Sequence, residues 1–168
     1  LQMMHQNGAD KAWKQQCKVP VWIRGGKDDM WMNQLVSSNN PKMPDARLVR
    51  KYFDVIALGN SEGTGPKGLN AEVIEVKSFD DLEAKKDQVK GKIVFYNYKF
   101  NPTFIRTFQS YGDASRYRGQ GPSAAAKHGA VAVIIRSMSH SVDNHPHTGA
   151  TRYDTNYAKI PAVAIGLR

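Results

Sequence analysis

The apolar positions in the second half of the chain predict a strand, a helix and another strand in succession. Lys92–Tyr96 is rich in β-branched and aromatic residues and follows Gly91, which suits a turn. Ala124–Lys127 favours a short helix, and Gly129 is a typical helix stop. Val131–Ile135 is a continuous apolar run, as in a buried strand. We therefore expect a strand–helix–strand unit at the centre of the fold.

Further runs of alternating or β-branched residues predict more strands on either side of this unit. Trp13–Arg24 has apolar residues in period two, and a Gly-rich turn joins it to Met30–Val36, so the two should form a hairpin. Tyr52–Leu58, Ala71–Val76 and Lys159–Ile165 have the same character.

Two short helices are expected outside the central unit. Leu1–Gln6 has apolar residues at helical spacing and reads as the last turns of a helix, so we expect the chain to be a piece of a longer polypeptide. Ser78 can cap a second helix whose first turn is acidic, with Phe79 and Leu82 facing inward.

Polar stretches separate these elements. Loops are predicted at Ser37–Asp45, Gly59–Gly68, Asn101–Gly121 and Ser137–Ala158. A loop as long as Asn101–Gly121 is usually functional or disordered. The predicted fold class is α/β, mixed and strand-rich, with a mixed sheet or open barrel and a few packed helices.

Composition narrows the classes of function. The chain has 168 residues, which favours one domain, and 24 Lys and Arg against 15 Asp and Glu give a net charge of +9. The basic residues are scattered, without a recognition helix or a basic run, so we expect a solvated basic surface and no nucleic-acid partner. A stand-alone module that binds nucleic acid or another polyanion stays the alternative function. No apolar run is long enough to predict a membrane span.

A single cysteine limits redox and metal chemistry. Cys17 excludes a disulfide within the chain and argues against a Cys-based zinc site. It falls in a predicted strand, where a lone Cys is most often a small buried apolar residue.

Several short segments, in order, resemble one protein family. They are Val19–Gly25, Ala57–Thr64, Ala71–Val73 with Ser78-Phe79, Gly91–Val94 with Tyr96-Asn97, Tyr117–Gly121, Ile135–Ser137, Pro146–Gly149 and Lys159–Pro161. In these segments the chain is similar to the protease-associated domain, a non-catalytic insert of secreted and vacuolar peptidases. The branch that it resembles is that of the di-zinc exopeptidases of the carboxypeptidase Q type, in the aminopeptidase/carboxypeptidase superfamily.

The resemblance implies a fold, a domain division and partners. The fold would be an open β-barrel or a β/β/α sandwich with flanking helices. Residues 1–12 would end a helix of the flanking peptidase domain, and residues 13–168 would form the insert. The partners would be that peptidase domain and a peptide substrate, and homodimer contacts are a further expectation. The location would be outside the cytoplasm, either secreted or periplasmic.

The resemblance also implies where the chemistry lies. In the family, zinc is bound downstream of the insert by a His-x-Asp segment, a Glu-Glu pair and later ligands. This sequence contains no Glu-Glu pair and no His followed two residues later by Asp. We therefore expect no catalytic residue, no metal site and no cofactor in this chain, with zinc held by the catalytic domain of the parent protein.

The residues expected near substrate lie in or beside the predicted loop Ser137–Ala158, except for Arg118, which lies in the predicted loop Asn101–Gly121. The resemblance suggests that the loop Ser137–Ala158 faces the peptidase cleft and helps to shape the substrate pocket. The candidates are Arg136, Ser137, His145, His147, Thr148, Gly149 and Arg118.

Two groups of residues suggest a metal site or a surface that binds a carboxylate. His145 and His147 have an H-x-H spacing that can chelate a metal, with His140 and Asp143 nearby, although such a pattern on a loop more often means exposed or hydrogen-bonded histidines. A small His-loop metalloenzyme is therefore a third hypothesis. Arg106, Arg116 and Arg118 with Phe104, Phe108, Tyr111 and Tyr117 suggest either a cationic aromatic surface for a carboxylate or solvated arginines beside core aromatics.

Overall fold

A computed structural model describes residues 1–19, 21, 23, 25–36 and 47–167. Its helices are α1 (Gln2–Gln6), α2 (Phe79–Ala84) and α3 (Thr107–Lys127), with a 3₁₀ turn at Lys86–Gln88. Its strands are β1 (Met30–Val36), β2 (Arg47–Phe53), β3 (Val55–Ala57), β4 (Val73–Val76), β5 (Ile93–Tyr96), β6 (Ala132–Arg136) and β7 (Ala162–Ile165).

The strands form two separate sheets. The larger has the order β3-β7-β6-β5-β4, in which β4 to β7 run parallel and β3 pairs antiparallel with β7. The smaller is the antiparallel pair β1–β2. Two sheets with few helices confirm the predicted mixed α/β class.

Local chemistry accounts for the start of α2. The Ser78 hydroxyl accepts a hydrogen bond from the backbone N–H of Asp81 over 3.0 Å, as a helix N-cap does. Leu82 is buried, and Phe79 packs against the core. The prediction of a Ser78-capped helix with an inward apolar face is confirmed.

The predicted loop at Asn101–Gly121 is wrong, because most of it lies in α3. This helix also includes the segment Ala124–Lys127 that was predicted as a short helix. Gly and Pro residues disfavour a helix, and the sequence therefore did not predict this one. Pro122 lies inside the helix and lacks the N–H of a helical hydrogen bond. Packing compensates for this loss, because the helix buries a stripe of small residues and one aromatic against β5 and β6: Ser110, Ala114, Tyr117, Gly121, Pro122, Ser123 and Ala125.

The predicted hairpin at the start of the chain is also wrong. The described residues of 13–24 contain no strand, and β1 pairs instead with β2, from Met30 opposite Phe53 to Val36 opposite Arg47. Cys17 is exposed, contrary to the buried position expected for it. The predicted loop at Ser37–Asp45 lies outside the described residues.

The remaining strands are found within a few residues of their predicted bounds. The predicted run Tyr52–Leu58 divides at Asp54, between β2 and β3, so that it contributes to both sheets. The predicted strand Lys159–Ile165 begins later, at Ala162. The long stretch between β6 and β7 is a loop in the structure, as expected.

Candidate functional site

The predicted site residues gather where the parallel strands end. Arg136 is the last residue of β6, Ser137 follows it, and the loop carrying His145 to Gly149 returns beside them. In open α/β sheets, ligands bind outside the carboxyl ends of the strands, and this edge is therefore the candidate site.

Ser137 holds the loop against the sheet. Its hydroxyl donates a hydrogen bond to the carbonyl of Ile165 over 2.7 Å and accepts one from the backbone N–H of His147 over 2.9 Å. Ser137 is buried, so its hydroxyl is an anchor for the loop and is not presented to a ligand.

Arg118 joins α3 to the same loop. Its Nη1 donates to the carbonyl of Thr148 over 3.1 Å, and its Nη2 donates to the hydroxyl of Tyr111 over 2.6 Å. Its guanidinium lies 5.4 Å from the centre of the Tyr111 ring, within the range of a cation–π contact. Both ends of the guanidinium therefore have protein partners.

Thr148 and Gly149 connect the loop to the edge strand β3 and to the residues that follow it. The Thr148 hydroxyl donates to the carbonyl of Ala57 over 2.9 Å, and the N–H of Gly59 donates to the carbonyl of Gly149 over 2.9 Å. Gly149 lies against Arg118, since a Cβ on it would be 2.4 Å from the guanidinium carbon. Only glycine leaves room for the arginine at this point.

The two histidines of the H-x-H pair have different surroundings. The His145 side chain is 87% exposed, and its Nδ1 lies 3.4 Å from Oδ1 of Asp143. Nδ1 of His147 lies 3.2 Å from the carbonyl oxygen of Met138. The backbone N–H of His145 donates to Asp143, and this hydrogen bond lowers the pKa of the Asp143 carboxyl. The two rings thus have separate partners.

The same residues do not form a cluster of metal ligands. Across residues 1–19, 21, 23, 25–36 and 47–167, no three His, Cys, Asp or Glu side chains are grouped closely enough to hold a metal. In the described part of the chain, the H-x-H pair therefore does not belong to a cluster of three such side chains.

Arg136 contacts a residue that the sequence interpretation did not select. Its Nη1 donates to Oδ1 of Asn97 over 2.9 Å, and Nδ2 of Asn97 donates to Glu75 over 2.8 Å. The Nε atom of Arg136 is buried and has no hydrogen-bond partner among the described residues. Asn97 directly follows β5, as Ser137 follows β6. Its position at the end of a buried strand is the sequence feature from which Asn97 could have been selected as a site residue.

An apolar groove opens beside the N-terminus of α3. Its volume is about 620 Å³, and it is lined by Phe100, Thr107, Phe108, Tyr111, Met138, Ser139, His140 and Ser141. The His140 ring packs edge-on against Phe100, with 4.7 Å between the ring centres. Tyr111 belongs both to this groove and to the Arg118 contact, so the groove adjoins the anchored loop.

The proposed cationic aromatic surface does not form one unit. Tyr117 is buried in the core, and Arg116 lies over its ring while pairing with Asp113 at 3.3 Å. Phe108 is exposed at the groove. Of the set, Arg118, Tyr111 and Phe108 lie together at the candidate site, because the Phe108 ring stacks on Tyr111 with 5.8 Å between the ring centres.

The described residues include no helix with the length and apolar character needed to cross a membrane.

Comparison with known proteins identifies the class of this domain. Residues 51–168 match the family model of the PA domain, and the chain belongs to this family. The predicted family is therefore confirmed.

The chain is similar to carboxypeptidase Q. It is 36% identical to the Xenopus laevis protein over 162 residues, which cover 96% of this chain and 30% of that protein. It is 32% identical to the Homo sapiens protein over 169 residues, covering 98% of this chain and 31% of that protein. The chain thus spans about 30% of the length of these relatives.

A solved structure has a similar fold. The crystal structure of a Peptidase M28 precursor from Shewanella amazonensis SB2B superimposes with a TM-score of 0.65 and 30% identity. The match covers 83% of this chain and 30% of that chain.

Proposed function

We propose that this chain is the non-catalytic protease-associated part of a zinc-dependent exopeptidase. In this role it covers the catalytic cleft of the same polypeptide and restricts access to short peptides. The catalytic zinc and its ligands belong to the rest of that polypeptide, which hydrolyses the peptide bond.

The observation that carries the proposal is the anchored loop at the carboxyl edge of the sheet. Ser137, Arg118 and Thr148 each hold the loop through hydrogen bonds to a different part of the fold. A fixed loop on a rigid sheet is suited to shaping a cleft, because its surface does not reorganise when substrate arrives. Most polar groups of the loop form hydrogen bonds within the protein. The loop is therefore better suited to limiting the space in the cleft than to binding substrate through hydrogen bonds.

The side chains that remain available suit a peptide. His145 is exposed at the tip of the loop, and the groove beside Tyr111 offers an apolar surface for a side chain. The basic character of the chain, +9 overall, would attract the carboxylate of a short peptide. No group described here supplies a nucleophile or a general base to the reaction, which the proposal assigns to the zinc domain.

The relatives support the assignment of this chain to a peptidase. Carboxypeptidase Q and the Peptidase M28 precursor are peptidases by name, and this chain corresponds to about 30% of each. We infer that the parent protein acts outside the cytoplasm, secreted or periplasmic, and that this domain packs against the peptidase domain. Homodimer contacts are part of the same proposal.

The restriction of substrate length is the testable part of this role. The complete polypeptide encoded by the gene would be compared with a variant in which a short Gly-Ser linker replaces residues 53–165. Both would be supplied with zinc and assayed on a dipeptide and on a longer peptide with the same terminal residues.

We expect the complete polypeptide to prefer the dipeptide and the variant to lose that preference. The zinc content and circular dichroism of the variant would be measured as controls for its fold. An unchanged ratio of kcat/KM between the two substrates, in a variant that retains zinc and fold, would contradict the role in substrate access.

A further inference from the structure

The N-terminal third of the chain has no core in the described residues. Among the described residues, Leu58 is the first that is buried, and those before it are exposed or half-buried. The hydrophobic core is built from Leu58 onward. The segment before β3 therefore obtains little stabilisation from the body of the domain.

The ribbon formed by β1 and β2 exposes large apolar residues on one face. Directly opposed residues of antiparallel strands share a face, and pairing brings Trp31 opposite Tyr52 and Leu35 opposite Leu48. Trp31 is 49% exposed and Leu48 is 70% exposed. The rings of Trp31 and Tyr52 have centres 6.4 Å apart, and Arg50 lies over Trp31 at 5.3 Å.

The opposite face of the ribbon is apolar as well. Met32, Val36 and Val49 are all exposed there. A two-stranded ribbon is marginally stable in water at best, and it needs packing against another element to become stable. Apolar residues on both faces indicate that this ribbon is built to be covered.

The match to the PA domain family covers the body of the domain but not most of the ribbon. The PA domain match begins at Lys51, within β2, and leaves all of β1 outside. The similarity to carboxypeptidase Q nevertheless covers 96% of the chain, so it extends well beyond the PA domain match. The sequence of the ribbon is therefore shared with the peptidases beyond the part that defines a PA domain.

The charge of the ribbon distinguishes among possible partners. Arg50 lies on the same face as Trp31, Arg47 and Lys51 lie on the opposite face, and neither strand contains an acidic residue. Two copies of this ribbon packed face to face would bring like charges together, which disfavours a second copy as the partner. A surface with an apolar centre and an acidic rim is complementary to it.

We propose that the ribbon Met30–Val36 and Arg47–Phe53 is the element that docks this domain onto the peptidase domain of the same polypeptide. The face with Trp31, Leu35, Leu48 and Tyr52 packs against an apolar patch with acidic residues at its rim. This inference rests on the proposed function for the identity of the partner, and it moves the domain boundary from residue 12 to about residue 50.

Hydrogen exchange tests whether the ribbon is covered. Amide exchange of residues 30–36 and 47–53 would be compared between the 168-residue chain and the complete polypeptide encoded by the gene. We expect exchange in the ribbon to slow by more than about tenfold in the complete polypeptide, while β5 and β6 change little. Equal exchange in both proteins, or a gene that encodes no further domain, would overturn the proposal.

Substitutions test which face of the ribbon contacts the peptidase domain. Leu48→Glu should lower the Tm of the complete polypeptide and weaken the protection of the ribbon, because it places a charge in an apolar contact. Leu69→Glu is the matched control, since Leu69 is 41% exposed on a loop of the PA body and should leave both readouts unchanged. An equal effect of the two variants would overturn the assignment of the face.

Other occupants give different results. Protection that rises with protein concentration and accompanies a dimer in sedimentation would assign the ribbon to a second copy. Protection that appears only with phosphatidylserine vesicles would assign it to a lipid surface, and either result overturns the proposal. A complete polypeptide with a protected ribbon but no peptidase activity would refute the proposed function and leave the docking intact.

Discussion

The hydroxyl of Tyr96, at the end of β5, donates a hydrogen bond of 2.9 Å to the backbone carbonyl of Gly121 in α3. The contact requires the absence of a side chain on the helix, because a Cβ at Gly121 would lie 2.9 Å from Cε2 of the tyrosine ring. Burial of Tyr96 raises the pKa of its phenol, so the hydroxyl keeps the proton that it donates.

This close approach predicts a selective effect of alanine in α3. Gly121→Ala should destabilise the domain by about 1–3 kcal/mol, because the new methyl group forces the helix or the ring to move. Gly112→Ala is the control in the same helix, where a Cβ meets nothing within 4 Å. That variant should be neutral or stabilise by about 0.5–1 kcal/mol. Urea unfolding of both variants measures the difference, and equal stabilities would contradict the packing described.

A second prediction concerns the arginine that anchors the loop. Arg118→Lys keeps the charge but cannot reach Thr148 and Tyr111 together, because lysine lacks the forked donor geometry. We expect a loss of about 1.5–3 kcal/mol, as for hydrogen bonds of a charged group, with faster amide exchange in residues 145–149. Arg152→Lys, at an exposed position, is the control. If the two variants exchange alike in the loop, Arg118 does not hold it.

The stability of the domain should depend on pH through Asp81. The backbone N–H of Lys77 and then the ammonium of Lys85 lower the pKa of this carboxyl below its ordinary value of 3.8. A carboxyl with a lowered pKa in the folded state stabilises the protein above its unfolded pKa, and this contribution is lost as the pH falls through the folded value. The Tm of the wild type should exceed that of Asp81→Asn at neutral pH.

The Tm difference should shrink as the pH falls below 3.8. Calorimetry from neutral to acid pH would follow it. A difference that stays constant across this range would show that the charge of Asp81 does not stabilise the fold.

Tyr98 should resist ionisation because of its neighbour Asp113. The Tyr98 hydroxyl donates a hydrogen bond to the Asp113 carboxylate, which together with burial raises the pKa of Tyr98 to about 12. Asp113→Asn removes this charge and should bring the pKa back towards 10.0. NMR of the ring at about pH 11 reports its protonation, where an unperturbed tyrosine is mostly ionised. Ionised Tyr98 in the wild type would contradict the contact.

Much of the fold could be predicted where the local sequence and the tertiary structure agree. Ser78 followed by an acidic turn indicated α2, and the apolar run at Val131–Ile135 indicated a buried strand at the centre of the sheet. In these cases hydrophobic pattern and capping chemistry led to the same structure.

Helix α3 could not be found in this way, because glycines and Pro122 lower its intrinsic helix propensity. The sequence pattern that indicates the helix is a set of small residues and one aromatic at helical spacing, Ser110, Ala114, Tyr117, Gly121 and Ala125, which are all buried. The pairing of β1 with β2 could not be predicted for a different reason. This pairing joins segments on either side of residues 37–46, and the alternating pattern of a strand does not identify its partner.

At the candidate site, the contacts of the expected residues could not be predicted from the sequence. Ser137 and Arg118 were expected near substrate, and the structure shows both as anchors with partners inside the protein. Their roles depend on contacts between distant segments, such as the pairing of Arg118 with Thr148, which no local pattern contains.

We propose that this domain assists a zinc exopeptidase without catalysing hydrolysis itself. The most direct measurement is zinc-dependent hydrolysis of a dipeptide panel by the 168-residue chain and by the complete polypeptide encoded by the gene. We predict activity in the complete polypeptide and none in the chain alone. Zinc-dependent hydrolysis by the chain alone, abolished by His145→Ala or His147→Ala, would contradict the account and make the histidine loop the active site.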